Sequence, residues 1–397
     1  MMAIVEQTIS IPVSGGRTLH ARLWRPKEGR HPAVIDYSPY RVSDLFAPLM
    51  ESQLPVYAQN GYAALAIDIS GSGNSTGLLH DEYLPQEIND LVEAIAWAAA
   101  HDWCDGQVAL IGLSWAAFSA LRAAAHKPPA LKAMALGGVS EDGWLTDIHY
   151  LGGALYTGHI DWAGVMLMFN ALPPDPAIFK GDWRAEWKAR LVANRPWIIE
   201  WLKHQRHDAY WTGKAAPLDG DTPLLLYSGF ADKYATSVLR IASAWRGPVR
   251  TIIGPWEHTP PDLASRGPRI GFLHEAIRWF DHHMKGVDTG ALAEAPLRIW
   301  IGAPDDEKKM VGGTWHAVEM IGEGPPPSNC APARPAGRDS RIFRSSRPSS
   351  RLTSTRTSRQ PSRPARMRAS APISWPAVPG HRMSRSQASP SCICVRV

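Results

Sequence analysis

The stretch VALIGLSWAAFSALRAAA, residues 108–125, decides the fold. Its first four residues are apolar and rich in β-branched side chains, which predicts a buried strand. The Gly-Leu-Ser sequence at 112–114 predicts a sharp turn, and the alanine-rich segment 115–125 predicts a helix. A strand, a tight turn that carries a serine and a helix form a nucleophile elbow, which exposes the serine oxygen and points the next backbone N–H at the atom under attack. The N-terminus of the helix also favours negative charge at that point.

The serine has a second interpretation, because serines at such positions often serve as turn or helix-capping residues. The rest of the chain decides between the two. A catalytic serine needs a histidine base, an acid that orients the histidine and a site that binds the oxyanion. In an open α/β sheet these groups come from loops that follow the carboxyl ends of the strands.

The pattern around the elbow alternates strands with helices. Strands are predicted at 33–37, 62–69, 131–137, 223–228 and 249–254, after an antiparallel pair within 4–25, and helices at 46–59, 87–101, near 237–245 and at 271–285. This alternation predicts an α/β fold with a mostly parallel sheet that is covered on both faces. Residues 141–217 interrupt the alternation, are rich in tryptophan and predict an inserted helical cap. Together with the serine turn, the pattern predicts an α/β-hydrolase.

Five segments follow from these changes in pattern. They are the first part of the hydrolase core (1–140), the cap (141–217), the second part of the core (218–290), the start of a truncated C-terminal β domain (291–327) and a disordered tail (328–397). The tail is rich in Arg, Ser and Pro and lacks a hydrophobic period, so it cannot bury enough apolar area to offset its chain entropy. Such a composition is typical of a nucleic-acid-binding arm or of an out-of-frame end, and we favour the second interpretation.

The formal net charge of +5 is the sum of two parts of the chain with opposite charge. Residues 328–397 contain 14 of the 42 basic residues, all arginine, and one of the 37 acids, which leaves residues 1–327 with a net charge of −8. Binding to nucleic acid is therefore an expectation for the tail alone. The acidic body has one cysteine, Cys104, which gives no disulfide framework and fits a reducing compartment. With no apolar run long enough to cross a bilayer and no signal-peptide pattern, the sequence predicts a cytoplasmic protein.

The candidates for the acid and the base are residues that directly follow a predicted strand. Asp232 lies in SGFADK directly after the strand at 223–228, and His258 lies in GPWEH directly after the strand at 249–254. Both also fit ordinary roles, Asp232 as a turn residue that caps a helix and His258 as a surface-loop histidine. Because most of the 15 histidines do not follow a strand, position favours His258 as the base. Serine, acid and histidine then occur in the chain order of the α/β-hydrolase triad.

Tyr40 is the candidate for the oxyanion site. Its phenol follows the strand at 33–37, where it can donate a hydrogen bond beside the backbone N–H of Trp115. The alternatives are that Tyr40 packs in the core, or that Tyr37 takes the role, although Tyr37 lies within the strand.

Neither a metal nor a cofactor is predicted. The vicinal pair His282-His283 lies on the predicted helix at 271–285, but no second pair of ligands stands at a metal spacing. We therefore interpret these two histidines as solvated surface residues.

Several stretches resemble the group of serine hydrolases that includes cocaine esterase and the X-Pro dipeptidyl-peptidases, the CocE/NonD-type hydrolases. They are SPY at 38–40, DISGSGNSTG at 68–77, WCDGQVALIGLSW at 103–115, GFAD at 229–232, GPWEH at 254–258, FDHHMKG at 280–286 and APLRIWIG at 295–302. The resemblance covers about residues 5–320. It implies an α/β-hydrolase core, a helical cap and a C-terminal β jelly roll that begins near Leu297. Because the matching sequence stops around residue 325, we expect the jelly roll to be largely missing.

Residue by residue, the resemblance implies the same site. All of the family's site positions have a match: Ser114 (nucleophile), Asp232 (acid), His258 (base), Tyr40 (oxyanion tyrosine) and the N–H of Trp115 (second oxyanion donor). Trp115 occurs where the family usually has tyrosine, and Ala117 replaces the last glycine of the elbow, a change that a small residue allows. Ser70 stands where the family commonly has arginine, which implies one structural ion pair fewer.

The sequence thus predicts a serine hydrolase that cleaves ester or amide bonds of small acyl substrates through an acyl-enzyme. Tryptophans of the cap indicate an apolar or aromatic acyl pocket, and acids near the sheet edge would hold the α-amine of a peptidase substrate; the candidates are Trp144, Trp162 and Trp183, and Asp147, Asp142 and Glu141. Core packing is the alternative role for the tryptophans. The alternative functions are a catalytically impaired, truncated remnant and a nucleic-acid binder that acts through the tail. The sequence gives no signal for the oligomeric state.

Overall fold

A ten-stranded sheet organises the computed structural model, which describes residues 3–302 and 312–319. In chain order the strands are β1 (Ile4–Val13), β2 (Arg17–Pro26), β3 (His31–Ser38), β4 (Ala63–Asp68), β5 (Cys104–Leu113), β6 (Leu131–Gly137), β7 (Tyr150–Leu151), β8 (Ala154–Leu155), β9 (Leu224–Gly229), β10 (Val249–Gly254), β11 (Leu297–Gly302) and β12 (Gly313–Val318). Strands β7 and β8 form a separate hairpin, and the other ten form the sheet in the order β1-β2-β4-β3-β5-β6-β9-β10-β11-β12.

The sheet is parallel from β4 through β11, with antiparallel strands at its two edges. Five helices cover it: α1 (Ala47–Gln59), α2 (Pro85–Ala99), α3 (Trp115–Ala124), α8 (Ala235–Ala244) and α9 (Phe272–Lys285). Buried side chains of α2, α3 and α8 form one apolar cluster with one face of the sheet, and those of α1 and α9 form a second cluster with the other face. Adjacent strand residues such as Leu110 and Ile111 point into different clusters, as the alternation of side chains along a strand requires. The predicted α/β fold is therefore confirmed.

The segment between β6 and β9 contains four helices and a small hairpin. It contains the hairpin β7–β8 and the helices α4 (Gly158–Ala171), α5 (Trp183–Ala193), α6 (Ile198–Trp201) and α7 (Ala209–Thr212). Five of its donors reach two adjacent acids, Asp81 and Glu82, in the loop before α2. They are Trp201 Nε1 (3.0 Å), Tyr210 Oη (2.6 Å) and Lys214 Nζ (2.6 Å) on Asp81, and His149 Nε2 and Trp162 Nε1 (3.1 Å) on Glu82. We call this pair of acids the cap anchor.

The structure differs from the sequence prediction at Leu297, where a separate β domain was expected to begin. Leu297 pairs with Thr251, so β11 continues the central sheet in parallel with β10, and β12 then pairs antiparallel with β11. Ion pairs tie this edge to α9, because the Glu275 carboxylate contacts both Arg250 of β10 and Arg298 of β11. The rest of the predicted β domain and the tail at 328–397 lie outside the described residues.

Ser70 also has surroundings that the family pattern did not predict. Its hydroxyl donates to Asp90 Oδ2 (2.7 Å) and accepts from Arg17 Nη1 (2.8 Å), and Arg17 also pairs with Asp90. A guanidinium from β2 therefore forms an ion pair next to Ser70.

The pair His282-His283 is half-buried, which contradicts its interpretation as solvated surface. The His283 ring lies 4.3 Å from that of Trp279, and each histidine has a buried ring nitrogen without a partner among the described residues. Within the same residues, no three His, Cys, Asp or Glu side chains are placed to share a metal ion. No helix there has the length and apolar character that a bilayer span requires.

Candidate active site

The elbow places Ser114 in a strained backbone conformation. Its φ of 62° and ψ of −128° lie in a region that non-glycine residues seldom occupy. Two backbone hydrogen bonds hold it there, from Ser114 N–H to the Gly137 carbonyl (3.0 Å) and from Phe118 N–H to the Ser114 carbonyl (2.9 Å). Gly112 is required because a Cβ at that position would lie 2.4 Å from the Cβ of Ala116, in the first turn of α3. The strand, turn and helix predicted at 108–125 are confirmed as β5, the Ser114 turn and α3.

Tyr40 reaches the elbow from the end of β3. Its phenol O–H donates to Ser114 Oγ at 3.4 Å, next to the residue whose backbone N–H follows the serine, Trp115. The Tyr40 ring is buried, stacks on Phe46 at 4.7 Å and meets the edge of Trp162 from the cap at 6.3 Å. Burial raises the pKa of Tyr40 above its usual value, so the phenol keeps its proton and acts as a donor.

The loops after β9 and β10 bring Asp232 and His258 together. Backbone hydrogen bonds join these loops, from Phe230 N–H to the Gly254 carbonyl (2.9 Å) and from Ala231 N–H to the Trp256 carbonyl (3.1 Å). Asp232 Oδ2 lies 3.0 Å from His258 Nδ1. The Asp232 side chain is buried, whereas one third of the His258 side chain is exposed. The arrangement orients the imidazole through Nδ1 and leaves Nε2 for other contacts.

His258 and Ser114 approach the same glycine pair at the end of β6. A Cβ on Gly138 would lie 2.7 Å from His258 Cε1, so the imidazole packs against this backbone. The preceding residue, Gly137, accepts the Ser114 N–H. Among the described residues, the hydrogen-bond partner of the Ser114 hydroxyl is Tyr40, and no hydrogen bond joins it to His258. Catalytic contacts of this kind are often long in the free enzyme and tighten when substrate binds.

Asp147, predicted to bind substrate, is almost fully buried. Its Oδ1 accepts the phenol O–H of Tyr234 at 2.7 Å, and burial is the main cause that raises the pKa of its carboxyl. The Tyr234 ring lies 5.2 Å from the imidazole of His258. The structure therefore places Asp147 behind Tyr234, on the side of the site that holds the acid and the base.

Of the tryptophans predicted for the pocket, Trp162 lies beside the elbow. Its ring is 6.2 Å from that of Trp115 and edge-on to Tyr40. Trp144 packs within the cap instead, against Tyr150 (4.1 Å) and His207 (6.2 Å). The remaining candidates have ordinary structural partners: Trp183 stacks on Trp187, Glu141 pairs with Arg240, and Asp142 pairs with His207.

Sequence reasoning missed two buried acids next to the site, Glu82 and Glu87. Glu82 belongs to the cap anchor and holds Trp162. Glu87 accepts hydrogen bonds from the indole of Trp115 (2.7 Å) and from the hydroxyl of Ser119 (2.5 Å). A signal for Glu87 existed, because it lies four residues before Leu91 and so falls on the apolar face of its predicted helix.

Comparisons with known proteins identify the family of this chain. The sequence profile of the family described as X-Pro dipeptidyl-peptidase (S15 family) matches residues 15–260. Cocaine esterase of Rhodococcus sp. (strain MB1 Bresler) is 26% identical over 344 residues, which are 76% of this chain and 59% of that protein. The chain spans between half and three fifths of the length of the first curated relatives that it matches.

Solved structures give the same fold. A CocE/NonD family hydrolase from Staphylococcus aureus has a TM-score of 0.61 at 18% identity, over 80% of this chain and 56% of that one. An aminopeptidase from a marine sediment archaeon of the Thaumarchaeota has a TM-score of 0.58 at 18% identity, over 80% of this chain and 59% of that one. At these identities the likeness shows an α/β-hydrolase fold.

Proposed function

The chain belongs to the S15 family of X-Pro dipeptidyl-peptidases, and from that premise we propose that it is a serine hydrolase that cleaves ester or amide bonds of small acyl substrates. The observation that carries the proposal is the oriented Asp232–His258 pair beside the strained Ser114 elbow. Backbone strain at a half-buried turn and a histidine held by a buried carboxylate are the features that a serine nucleophile and its base require.

The proposed reaction follows the serine triad. Ser114 Oγ attacks the carbonyl carbon while His258 Nε2 takes its proton, and the imidazolium Nδ1–H donates to Asp232 Oδ2. The developing oxyanion accepts hydrogen bonds from the Trp115 N–H and the Tyr40 O–H. Collapse of the tetrahedral intermediate breaks the bond to the leaving alcohol or amine, which takes the proton from His258. Water then repeats the sequence on the acyl-enzyme and releases the acid.

The acyl group is proposed to bind beside Trp162, because that ring borders both Tyr40 and Trp115. Roles for Trp144 and Asp147 in substrate binding stay predictions. Hydrolysis rates for an alanine ester and its N-acetyl form test whether a carboxylate near the site binds an α-amine. A faster reaction of the free amine supports an aminopeptidase-like pocket, and equal rates argue for a plain esterase.

Replacement of the nucleophile tests the proposal. Ser114→Ala should reduce the kcat for p-nitrophenyl acetate by about a thousandfold or more, because the members of a triad act as a unit. Ser52→Ala, at an exposed serine of α1, is the matched control and should keep the wild-type kcat. Turnover retained in purified, folded Ser114→Ala protein would contradict the proposal. A wild-type protein without turnover would favour the impaired remnant instead.

A further inference from the structure

Glu87 connects three separate segments around the elbow. It lies in the first turn of α2 and is 3% exposed. Its Oε1 accepts hydrogen bonds from Trp115 Nε1 (2.7 Å) and Ser119 Oγ (2.5 Å), which lie on successive turns of α3. Its Oε2 accepts the backbone N–H of Tyr83 (3.0 Å), in the loop that precedes α2. One carboxylate thus joins α2, α3 and the loop before α2.

Tyr83, whose N–H binds Glu87, has a strained backbone conformation. Tyr83 has a φ of 54°, which is unfavourable for a side chain of this size. Its ring stacks on Phe118 at 5.1 Å and lies 5.0 Å from that of Trp115. The hydrogen bond to Glu87 therefore keeps the aromatic ring of Tyr83 against the first turns of α3.

Trp115 connects the Glu87 carboxylate to the proposed oxyanion site. The side chain of Trp115 is bound by Glu87, while its backbone N–H directly follows Ser114, the serine whose hydroxyl Tyr40 contacts. Ser114, the N-cap of α3, makes no capping hydrogen bond with its own side chain. Beside the two backbone hydrogen bonds of Ser114, the buried indole and its acceptor are thus a side-chain contact that orients the first turn of α3.

Resting on the serine-hydrolase function proposed above, we propose that Glu87 is a positioning residue for the reaction: by holding the Trp115 indole and the Ser119 hydroxyl, it aims the Trp115 N–H at the oxyanion. Glu87 does not touch the substrate. An oxyanion exists only after the attack on the carbonyl, so a misdirected N–H lowers kcat and leaves substrate binding almost unchanged.

The first variant is Glu87→Gln, which keeps the shape of the side chain but replaces one acceptor oxygen by an NH2 donor. We expect a kcat for p-nitrophenyl acetate about tenfold to a hundredfold below wild type, with KM within about twofold, since small misplacements of catalytic groups have effects of this size. The affinity for a boronic acid inhibitor, which mimics the tetrahedral intermediate, should fall by a similar factor. Glu93→Gln on the same helix, whose carboxylate accepts from Ser14, is the matched control and should behave as wild type.

The second variant is Trp115→Phe, which removes the indole N–H donor and keeps the backbone N–H. It should lose kcat by a similar factor, and the loss in the double variant with Glu87→Gln should be smaller than the product of the two single losses, because both changes break the contact between Trp115 and Glu87. Trp115→Phe also decides the question on its own if Glu87→Gln does not fold.

The outcomes separate the two proposals. Ser114→Ala tests the serine-hydrolase function, and the folded variants Glu87→Gln and Trp115→Phe test the role of Glu87. If Ser114→Ala is inactive but either of the other two keeps the wild-type kcat and boronic acid affinity, the proposal for Glu87 is wrong and the serine-hydrolase function stands. Losses that multiply in the double variant would also overturn it, since they would show two independent effects. If Ser114→Ala keeps its turnover, the proposed function falls and the role of Glu87 falls with it.

Discussion

At the scale of single residues, Tyr40 contacts both the sheet domain and the cap, and its phenol is the proposed donor to the oxyanion. Tyr40→Phe removes the O–H donor and keeps the ring that packs on Phe46 and Trp162. We expect kcat to fall by about 10²–10³ with little change in KM, the usual effect of losing one oxyanion donor. Steady-state kinetics with p-nitrophenyl acetate measure it.

Tyr37 provides the control for that prediction. It is the rival candidate from the sequence, but its phenol donates to the backbone carbonyl of Glu87 (3.1 Å) and not to the Ser114 hydroxyl. Tyr37→Phe should therefore have the smaller effect on kcat. A loss in Tyr37→Phe as large as in Tyr40→Phe would contradict the assignment of the oxyanion donor.

Glu87 also predicts a dependence of stability on pH. Burial is the main cause that raises its pKa from 4.5 to about 7, so between these values the folded chain holds a proton that the unfolded chain releases. The free energy of unfolding should then fall as pH rises from about 4.5 to 7, by on the order of 3 kcal/mol, relative to Glu87→Gln, which cannot titrate. Urea unfolding of both proteins across this range measures the difference. A difference that does not change with pH would contradict the prediction.

At the scale of elements, the cap anchor is one of the buried sets of contacts that hold the cap against the sheet domain. Glu82 and His149 are both about 1% exposed and form a buried ion pair. Removing one partner leaves an uncompensated buried charge, which typically costs about 3–5 kcal/mol. We therefore expect Glu82→Gln to lower the free energy of unfolding by about that amount, while Glu93→Gln has a much smaller effect. Chemical unfolding measures both, and equal values for the two variants would count against the cap anchor.

The ion pair between Glu82 and His149 also determines how the stability of the protein changes with pH. Burial alone would raise the pKa of Glu82, but the charge and hydrogen bond of His149 outweigh burial and lower it from 4.5 to about 2. The contribution of Glu82 is therefore present above pH 4.5 and lost as pH falls toward 2. Burial lowers the pKa of His149, but the carboxylate of Glu82 outweighs burial and raises it above its usual value. The stabilisation from the charged His149 is therefore lost only as pH rises above that raised pKa. We expect Glu82→Gln to be less sensitive to acid than the wild-type protein.

The elements themselves were largely predictable, because each depends on local patterns. Strands β6 and β10 begin and end close to their predicted bounds, and the elbow follows from 108–125 alone. The role of 297–302 was not predictable in this way. Whether a strand extends an existing sheet or starts a new one depends on which strand it pairs with, and pairing with β10 is a long-range contact that leaves no local signal.

At the scale of the whole molecule, the candidate site could be predicted because the topology of a parallel sheet gathers the loops at one edge. Strand-end positions made Asp232 and His258 candidates, the resemblance to the family matched them to its acid and base, and the structure places their side chains 3.0 Å apart. The supporting acids could not be chosen in the same way. In the sequence, Glu82 looks like an ordinary charged residue of a loop. Glu87 falls on the apolar face of its predicted helix, but only the packing against α3 shows which groups it binds.

The central claim, that Ser114 is a nucleophile activated by His258, is tested most directly by labelling with a fluorophosphonate probe. Mass spectrometry of the labelled wild-type protein should find one adduct per chain, on Ser114. The rate of labelling should fall by about a thousandfold in His258→Ala, since the base is then absent. An adduct on another residue, no adduct at all, or an unchanged rate in His258→Ala would contradict the claim.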